Sequence, residues 1–357
     1  MLQSSDEIKD LVLRTFKTGR QRQRYLNVVE RLDSANLPVI FSLQHLADLI
    51  EVDSEFLSAM TRRGNEFYRM FEVAKHAGGV RQIAAPLPSL ALVQQWIATH
   101  IIDKLPLNDS ISSAYRKGKS IKDHVFPHRD KSVLLKTDIK DFFPSISRDR
   151  IAKLFIDCGY PGKVASELSF LVTLDQRLPQ GAPSSPAISN VVCKDLDSAL
   201  ASICKERELV CTRYADDIAI SGENIDGMVE IVKGVLLAHG FEMNLGKTRV
   251  YGKGMHGRFL TGLVINGDQV RLPRASRRRI RQTVFYLKNY FHRDINSNFD
   301  INSDGNGNRL TQLDPLSFER IRGRLLFWRW VEPENPYPQK ALQELTEVIA
   351  SIQTDDS

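Results

Sequence analysis

The segment Arg213-Tyr214-Ala215-Asp216-Asp217-Ile218-Ala219-Ile220 carries the most specific pattern in the chain. Two adjacent carboxylates stand between short apolar runs, Leu209-Val210-Cys211-Thr212 before them and Ile218-Ala219-Ile220 after. Such runs predict two strands, with the acidic dipeptide as the tight turn of a hairpin. An acidic pair at the tip of a buried hairpin is costly unless a cation compensates it. A ligand set made only of oxygen points to Mg²⁺ or Mn²⁺ rather than zinc. The turn is therefore expected to hold the metal centre of a nucleotidyl transferase.

Upstream, Ser132-Val133-Leu134-Leu135-Lys136-Thr137-Asp138-Ile139 predicts a strand ending in a carboxylate. Asp141-Phe142-Phe143-Pro144 breaks it, and Ser147 caps a helix carrying Ile151, Leu154, Phe155 and Cys158 on one side. If this strand lies beside the hairpin, Asp138, Asp216 and Asp217 converge. Two divalent ions held there would activate a 3′-hydroxyl and stabilise departing pyrophosphate, with no need of a general-base histidine. Leu178-Pro179-Gln180-Gly181-Ala182-Pro183-Ser184-Ser185-Pro186 predicts a rigid loop. Ser185 as N-cap and Pro186 in the first helical position then start one long helix to about Arg207. A helix over Ile225 to His239 stops at Gly240, and a strand over Phe259 to Ile265 precedes a Gly267-Asp268 turn.

The flanks are less specific. Residues up to Arg63 show helical spacing, and Leu43 to Met60 has a helix-turn-helix pattern, with Asp53 or Ser54 as the second cap; plain packing of two helices accounts for it. Gly78-Gly79 predicts a turn between two strands, and Leu90 to Leu105 a helix with Leu92, Trp96, Ile97, Ile101 and Ile102 as its stripe. Lys117, Lys119 and Lys122 fit a solvated face or phosphate contact equally. Asn296 to Gln312 is polar and predicts a loop, and helices around Phe318 to Trp330 and Gln339 to Ser351 close the chain.

At 357 residues the chain can bury a large core in two or three domains or subdomains. Its net charge of +6 and pI near 9.1 favour an anionic partner weakly, since the distribution of charge matters more. The four cysteines lack metal-ligand spacing, so a zinc site or disulfide framework is not expected and a reducing compartment is. No apolar run approaches the roughly 20 residues that span a bilayer. The N-terminus has no signal-peptide pattern, and the expectation is a cytoplasmic protein with no membrane partner.

The motifs together resemble those of reverse transcriptases. Tyr214-Ala215-Asp216-Asp217 matches their YxDD box, and Asp138 to Ile146 looks like their first palm motif. Leu178 to Pro186 looks like their nucleotide-pocket motif, and Asn244-Leu245-Gly246-Lys247-Thr248 like the lysine-bearing motif after the hairpin. Order and spacing agree over roughly Phe67 to Ile265. The resemblance implies that Asp138, Asp216 and Asp217 bind two Mg²⁺ ions (or Mn²⁺), with the Ile139 carbonyl as a further ligand. It makes Phe143 the steric gate that rejects a ribose 2′-OH, a task for which a clash works better than an apolar pocket. Gln180 and Gly181 would line the incoming dNTP, Lys75 and Arg81 would grip its triphosphate, and Lys247 would protonate or neutralise the leaving pyrophosphate. Tyr214 would pack beside the primer terminus.

Within that family the chain most resembles the retron type. Where retron enzymes carry Asn-Ala-x-x-His and Val-Thr-Gly elements, this chain has His124-Val125-Phe126-Pro127-His128 and Leu260-Thr261-Gly262, so only His128, Thr261 and Gly262 match. His124 and His128 are spaced like helical metal ligands, but Pro127 opposes a regular helix and no third ligand is evident. Thr261 and Gly262, with Arg271, Arg274, Arg277, Arg278, Arg279 and Arg281, are the candidate nucleic-acid contacts. The arginines read as the basic face of a thumb helix toward an A-form-like hybrid.

The expected fold class is α+β: a right-hand polymerase with fingers, a ferredoxin-like palm and an α-helical thumb. The expected divisions are 1–63 N-terminal helical, 64–130 fingers, 131–266 palm with a fingers contribution around 160–180, and 267–357 thumb. The resemblance implies an RNA-directed DNA polymerase copying a structured noncoding RNA, with a 2′-OH of that RNA as primer and branched RNA–DNA as product. It also implies a bacterial antiphage role with a separate effector protein. Two other readings stand beside it: a defence or abortive-infection reverse transcriptase primed differently, and a catalytically idle RNA-binding scaffold.

Overall fold

The computed structural model describes residues 5–15, 19–74, 79–108, 110–255, 257–294 and 316–355. Two compact units emerge, Met1–His124 with Val133–Val250, and Val125–Ser132 with Tyr251–Ser357. Lys75 and the segment Asn296 to Gln312 lie outside the described residues.

The first unit opens with helices α1 (Ser5–Thr15), α2 (Gly19–Ser34), α3 (Leu43–Ile50) and α4 (Ser54–Arg62). Ser42 caps α3 by accepting from His45 N–H, and Asp53 caps α4 by accepting from Phe56 N–H. Leu46, Ala47, Leu57 and Met60 are buried, so the helix-turn-helix pattern is spent on packing. Strands β1 (Tyr68–Ala74) and β2 (Val80–Pro86) form an antiparallel hairpin, with Gly79 at a φ of 83° entering β2. In α5 (Pro88–His100) the buried stripe is Leu90, Val93 and Ile97; Leu92, expected inside, faces outward. Gln94 is also buried in α5, and its amide donates to the Tyr68 hydroxyl and the Leu171 carbonyl. The short helix α6 (Ile121–Val125) follows.

The central sheet is built from β3 (Val133–Asp138), β4 (Val210–Tyr214), β5 (Asp217–Gly222) and β6 (Arg249–Tyr251), in the order β4-β5-β3-β6. Helices α7 (Phe142–Ser145), α8 (Arg148–Asp157), α9 (Gly162–Val172), α10 (Ser185–Val192) and α11 (Lys194–Glu206) connect β3 to β4, and α12 (Met228–Ala238) connects β5 to β6. This β-α-β-β-α-β succession with that strand order is the ferredoxin-like split βαβ topology. Apolar residues of the sheet (Leu135, Ile218, Ile220) and of the crossing helices (Ile151, Phe155, Leu196, Leu200, Val232, Leu236) share one core.

Three local expectations are corrected. The hairpin turn is Ala215–Asp216, not Asp216–Asp217: Tyr214 pairs with Asp217, which already belongs to β5. Ala215 takes a φ of 57°, the sign a primed two-residue turn needs at its first position. The long helix after the nucleotide-pocket loop is two helices broken at Cys193, and the N-cap position falls on Ser184 rather than Ser185, with no capping hydrogen bond from its side chain. Ser185 is buried, and its hydroxyl is taken by the Pro179 carbonyl at 2.7 Å. The strand expected over Phe259 to Ile265 is split into β7 (Arg258–Leu260) and β8 (Leu263–Asn266) by a turn at Thr261 and Gly262, with φ of 44° and 83°.

In the second unit, β7 and β8 continue into β9 (Gln269–Arg271), followed by α13 (Arg274–Asp294), α14 (Leu316–Val331) and α15 (Pro336–Asp355). Arg258 donates to the Lys131 and Ser132 carbonyls, tying residues 125–132 to β7. Ile280, Val284 and Leu287 form the buried stripe of α13.

Candidate active site

The sheet order itself assembles the acidic cluster. β5 lies between β4 and β3, and its first residue, Asp217, is the register partner of Asp138, the last residue of β3. Cross-strand partners share a face, so both carboxylates leave the same side of the sheet. Asp216 is brought in through its backbone: the Ile139 N–H donates to the Asp216 carbonyl at 2.9 Å. The next strand edge is tied on as well, with Asn244 N–H donating to the Asp138 carbonyl. That contact delivers Lys247, whose ammonium group donates to Asp138 Oδ2.

The electrostatics are those of a site short of positive charge. Asp138 is buried, and its Oδ1 has no hydrogen-bond donor. Burial, then the Asp138 carboxylate, pushes the Asp216 carboxyl up, against Lys247 and Arg81. Asp217 is pushed up to about 7 by burial and by Asp138, although Lys136 Nζ stands 3.5 Å from its Oδ1. Lys247 is raised in turn by its bond to Asp138 and stays protonated. Among the described residues no three His, Cys, Asp or Glu side chains close around one ion position. Lys136 and Lys247 each pair with one of the carboxylates, Asp217 and Asp138 respectively. The donor set nevertheless fits a hard divalent ion, being all oxygen and mostly buried, with one buried oxygen unmatched. Mg²⁺ commonly takes only one or two carboxylates and completes its shell with substrate phosphates and water.

The nucleotide-pocket loop is held by β2: Ala84 N–H donates to the Gln180 carbonyl at 2.8 Å. Gly181 has a φ of 122°, and a Cβ there would stand 2.8 Å from Ile83 Cγ2 and 2.9 Å from the Ala84 carbonyl oxygen. The close approach that requires glycine is thus by the β2 strand. Arg81 lies exposed on that strand, within electrostatic reach of Asp216. Phe143 is half-buried against Phe142, with ring centroids 5.3 Å apart.

Beneath the hairpin lies a network that sequence reasoning missed. Arg213 is fully buried and binds Asp197 of α11 through two 2.6 Å bonds, from Nε and Nη2. Its Nη1 donates to the Ala215 carbonyl at 2.9 Å, and Nη2 also reaches Ser112 and Asn190. Burial pushes the Asp197 carboxyl up, and the permanently charged guanidinium pulls against it. The planar fork thereby satisfies a carboxylate and pins the strained turn residue at once. Period-2 alternation puts Arg213 on the face of buried Cys211, which was the available signal; the same rule puts Lys136 on the face of Asp138.

Tyr214 is half-buried with its ring centroid 5.8 Å from that of His124. His124 is buried against Thr212, whose hydroxyl lies 2.8 Å from Nδ1, so its place is structural. His128 is buried in the second unit. Thr261 and Gly262 form the β7–β8 turn there. Of the arginines, Arg271, Arg274, Arg278 and Arg279 are exposed and Arg277 half-buried. Arg281 is also exposed, yet its guanidinium lies 4.7 Å from the Tyr337 ring and 5.5 Å from that of Trp328.

The reverse transcriptase (RNA-dependent DNA polymerase) family matches residues 73–265, more than half of the chain. Retron Ec86 reverse transcriptase of Escherichia coli is 30% identical over 268 residues, covering 74% of this chain and 83% of that protein. Retron Mx65 reverse transcriptase of Myxococcus xanthus is 36% identical over 236 residues, covering 60% and 54%. A solved Candida tropicalis telomerase in complex with a telomeric RNA fragment superposes with a TM-score of 0.45 at 12% identity, over 84% of this chain and 57% of that one. The chain belongs to the reverse transcriptase family, within its retron type, and is an RNA-directed DNA polymerase of α+β fold. Among the described residues no helix is long and apolar enough to cross a membrane.

Proposed function

We propose that this polymerase copies a structured noncoding RNA into branched RNA–DNA, primed by a 2′-OH of that RNA, and acts in antiphage defence with a separate effector protein. The observation that carries the polymerase chemistry is the register pair Asp138–Asp217, with Asp216 tied to it through Ile139. Asp138, Asp216 and Asp217, with the Ile139 carbonyl, would hold two Mg²⁺ ions. When bound, these lower the pKa of the attacking hydroxyl and neutralise charge on the leaving pyrophosphate. Arg81 and Lys75 orient the triphosphate. Lys247, held protonated by its bond to Asp138, would neutralise or protonate the leaving pyrophosphate. Phe143 fills the volume a 2′-OH would need, and the Gln180-Gly181 loop borders the base. Tyr214 packs beside the primer end, while Thr261, Gly262 and the exposed α13 arginines hold the RNA or hybrid. In this reading the fingers, palm and thumb follow the divisions 64–130, 131–266 and 267–357.

Primer extension by wild type and Asp216→Asn tests the catalytic assignment; equal activity would sink it. Purification from the native host, with sequencing of the nucleic acid that accompanies the protein, tests the product. DNA joined to RNA through a 2′–5′ linkage supports the retron reaction. Free cDNA or a protein-linked homopolymer favours the differently primed defence enzyme.

A further inference from the structure

Tyr115 belongs to none of the motifs above, yet the fold holds it beside them. Residues 111–113 run as a short parallel edge along β4. Arg213 N–H donates to the Ile111 carbonyl at 2.7 Å, and Ser113 N–H donates to the Arg213 carbonyl at 3.0 Å. Asn190 of α10 donates to the Ala114 carbonyl at 2.8 Å. On the far side, Arg116 Nη1 donates back to the Ser112 carbonyl at 3.2 Å. The backbone is thus fixed on both sides of Tyr115 by the network that supports the acidic hairpin.

Between these anchors Tyr115 adopts a φ of 57°. A bulky side chain in that region is a conformational outlier that costs stability. Burial offsets only part of the cost, because half of the residue's surface, 49%, stays exposed. Its ring centroid lies 6.4 Å from that of Phe143, with the planes inclined at 47°. Burial of the phenol, with Asp216 and Tyr214 nearby, pushes the Tyr115 hydroxyl up, and Arg81 opposes them. The ring therefore lies near the gate, the acidic cluster and the triphosphate-binding arginine together.

We propose that Tyr115 is a second specificity-determining residue of the nucleotide pocket, whose ring forms with Phe143 the two walls of the slot for the sugar of the incoming 2′-deoxynucleoside triphosphate. This rests on the reading of Phe143 as the sugar gate. Two rings at this distance and inclination cannot take a furanose between parallel faces; they make a concave corner, and a sugar seated in it touches both. Phe143 supplies the clash with a 2′-OH. Tyr115 presses the sugar against that clash and prevents it from sliding away. A gate that can be side-stepped discriminates poorly, which gives a reason to hold an exposed aromatic in a disfavoured backbone conformation.

The test is steady-state incorporation of a dNTP and the matching rNTP on a primed RNA template by wild type, Tyr115→Phe, Tyr115→Ala, Tyr115→Gly, Phe143→Ala and the Tyr115→Ala/Phe143→Ala double variant. Loss of the ring is expected to raise KM for dNTP about tenfold with a smaller change in kcat, and to lower the dNTP-over-rNTP preference by a similar factor. Tyr115→Phe keeps the ring and stays near wild type. Tyr115→Gly relieves the backbone, so it melts no lower than wild type while showing the same kinetic defect, which separates loss of the wall from misfolding. The double variant is expected to discriminate no worse than Phe143→Ala alone, because Tyr115 acts through the gate. If Tyr115→Ala and Tyr115→Gly keep both KM and preference within twofold of wild type while Phe143→Ala admits ribonucleotides, the second wall is wrong and the gate stands. If Phe143→Ala leaves the preference unchanged, the gate reading falls and the two-walled slot with it.

Discussion

Asp216 and Asp217 are neighbours in the chain but stand in different surroundings. Asp216 occupies the turn, its carbonyl bound by Ile139 N–H; Asp217 starts β5 and faces both Asp138 and Lys136. Repulsion among buried carboxylates weakens the metal-free protein, so Asp217→Asn is expected to stabilise it while abolishing DNA synthesis. A gain of about 1 kcal/mol would raise the melting temperature in EDTA by about 2–4 °C. A lower melting temperature would mean that the Lys136 pair outweighs the repulsion. Asp197 behaves oppositely: Asp197→Asn strips the buried Arg213 of its counter-charge and is expected to cost about 3–5 kcal/mol in urea unfolding. An unmoved midpoint would show that Ser112, Asn190 and the Ala215 carbonyl suffice for the guanidinium.

Gly181 decides how an element docks. Any side chain there meets Ile83 Cγ2 and the Ala84 carbonyl, so Gly181→Ala should push β2 away and break the Ala84–Gln180 bond. The expected result is a KM for dNTP raised about tenfold or more, with the melting temperature lower by a few degrees. Adding Ile83→Ala should not restore activity, because the backbone carbonyl and the φ of 122° remain. Full rescue would show that only the Ile83 side chain was in the way. On α13 the arginines divide by surroundings. Converting Arg274, Arg278 and Arg279 to Gln should flatten the salt dependence of RNA binding, by about one unit of slope for each phosphate left without its arginine. Arg281→Gln should instead reduce stability, by about 0.5–2 kcal/mol, because the guanidinium no longer sits against the Tyr337 and Trp328 rings. A salt slope unchanged in the triple variant would remove this helix from the RNA surface.

At the scale of the molecule the chain contributes residues 125–132 to its second unit before returning to the first. His128 is buried within that segment, and burial, with Lys131 adding to it, pushes its imidazole down to about 3. The unfolded chain takes up the proton near pH 6.5 and the folded unit does not. Stability is therefore full above pH 6.5 and lost as pH falls from there toward 3, by up to about 1.4 kcal/mol per pH unit. Thermal melts at pH 7 and pH 5 should show this fall, and His128→Asn should flatten it. A wild-type melting curve indifferent to pH over that range would mean that His128 ionises without penalty.

The chain by itself determined the chemistry and most of the elements. A carboxylate at the end of an apolar run, an acidic pair between two such runs and a Gln-Gly loop are local signals, because strands and tight turns leave period-2 and turn-residue marks in sequence. The basic α13 was legible for the same reason, while the α+β class came with the family resemblance. The strand that completes the β-α-β-β-α-β order, β6 (Arg249–Tyr251), was not read from the sequence, being only three residues long and held by pairing with β3. Register and long-range contact were not legible. Whether the turn held Asp216 with Ala215 or with Asp217 depended on the register of β4 against β5, and where the helices after the pocket loop begin and break (Ser184, Cys193) depended on contacts distant in the chain. Arg213, Lys136 and Tyr115 were invisible as site residues because their roles come from partners 16 to 101 positions away, or from a loop laid along β4. Only the tertiary structure brings such partners within the few ångströms over which a hydrogen bond or a ring contact acts.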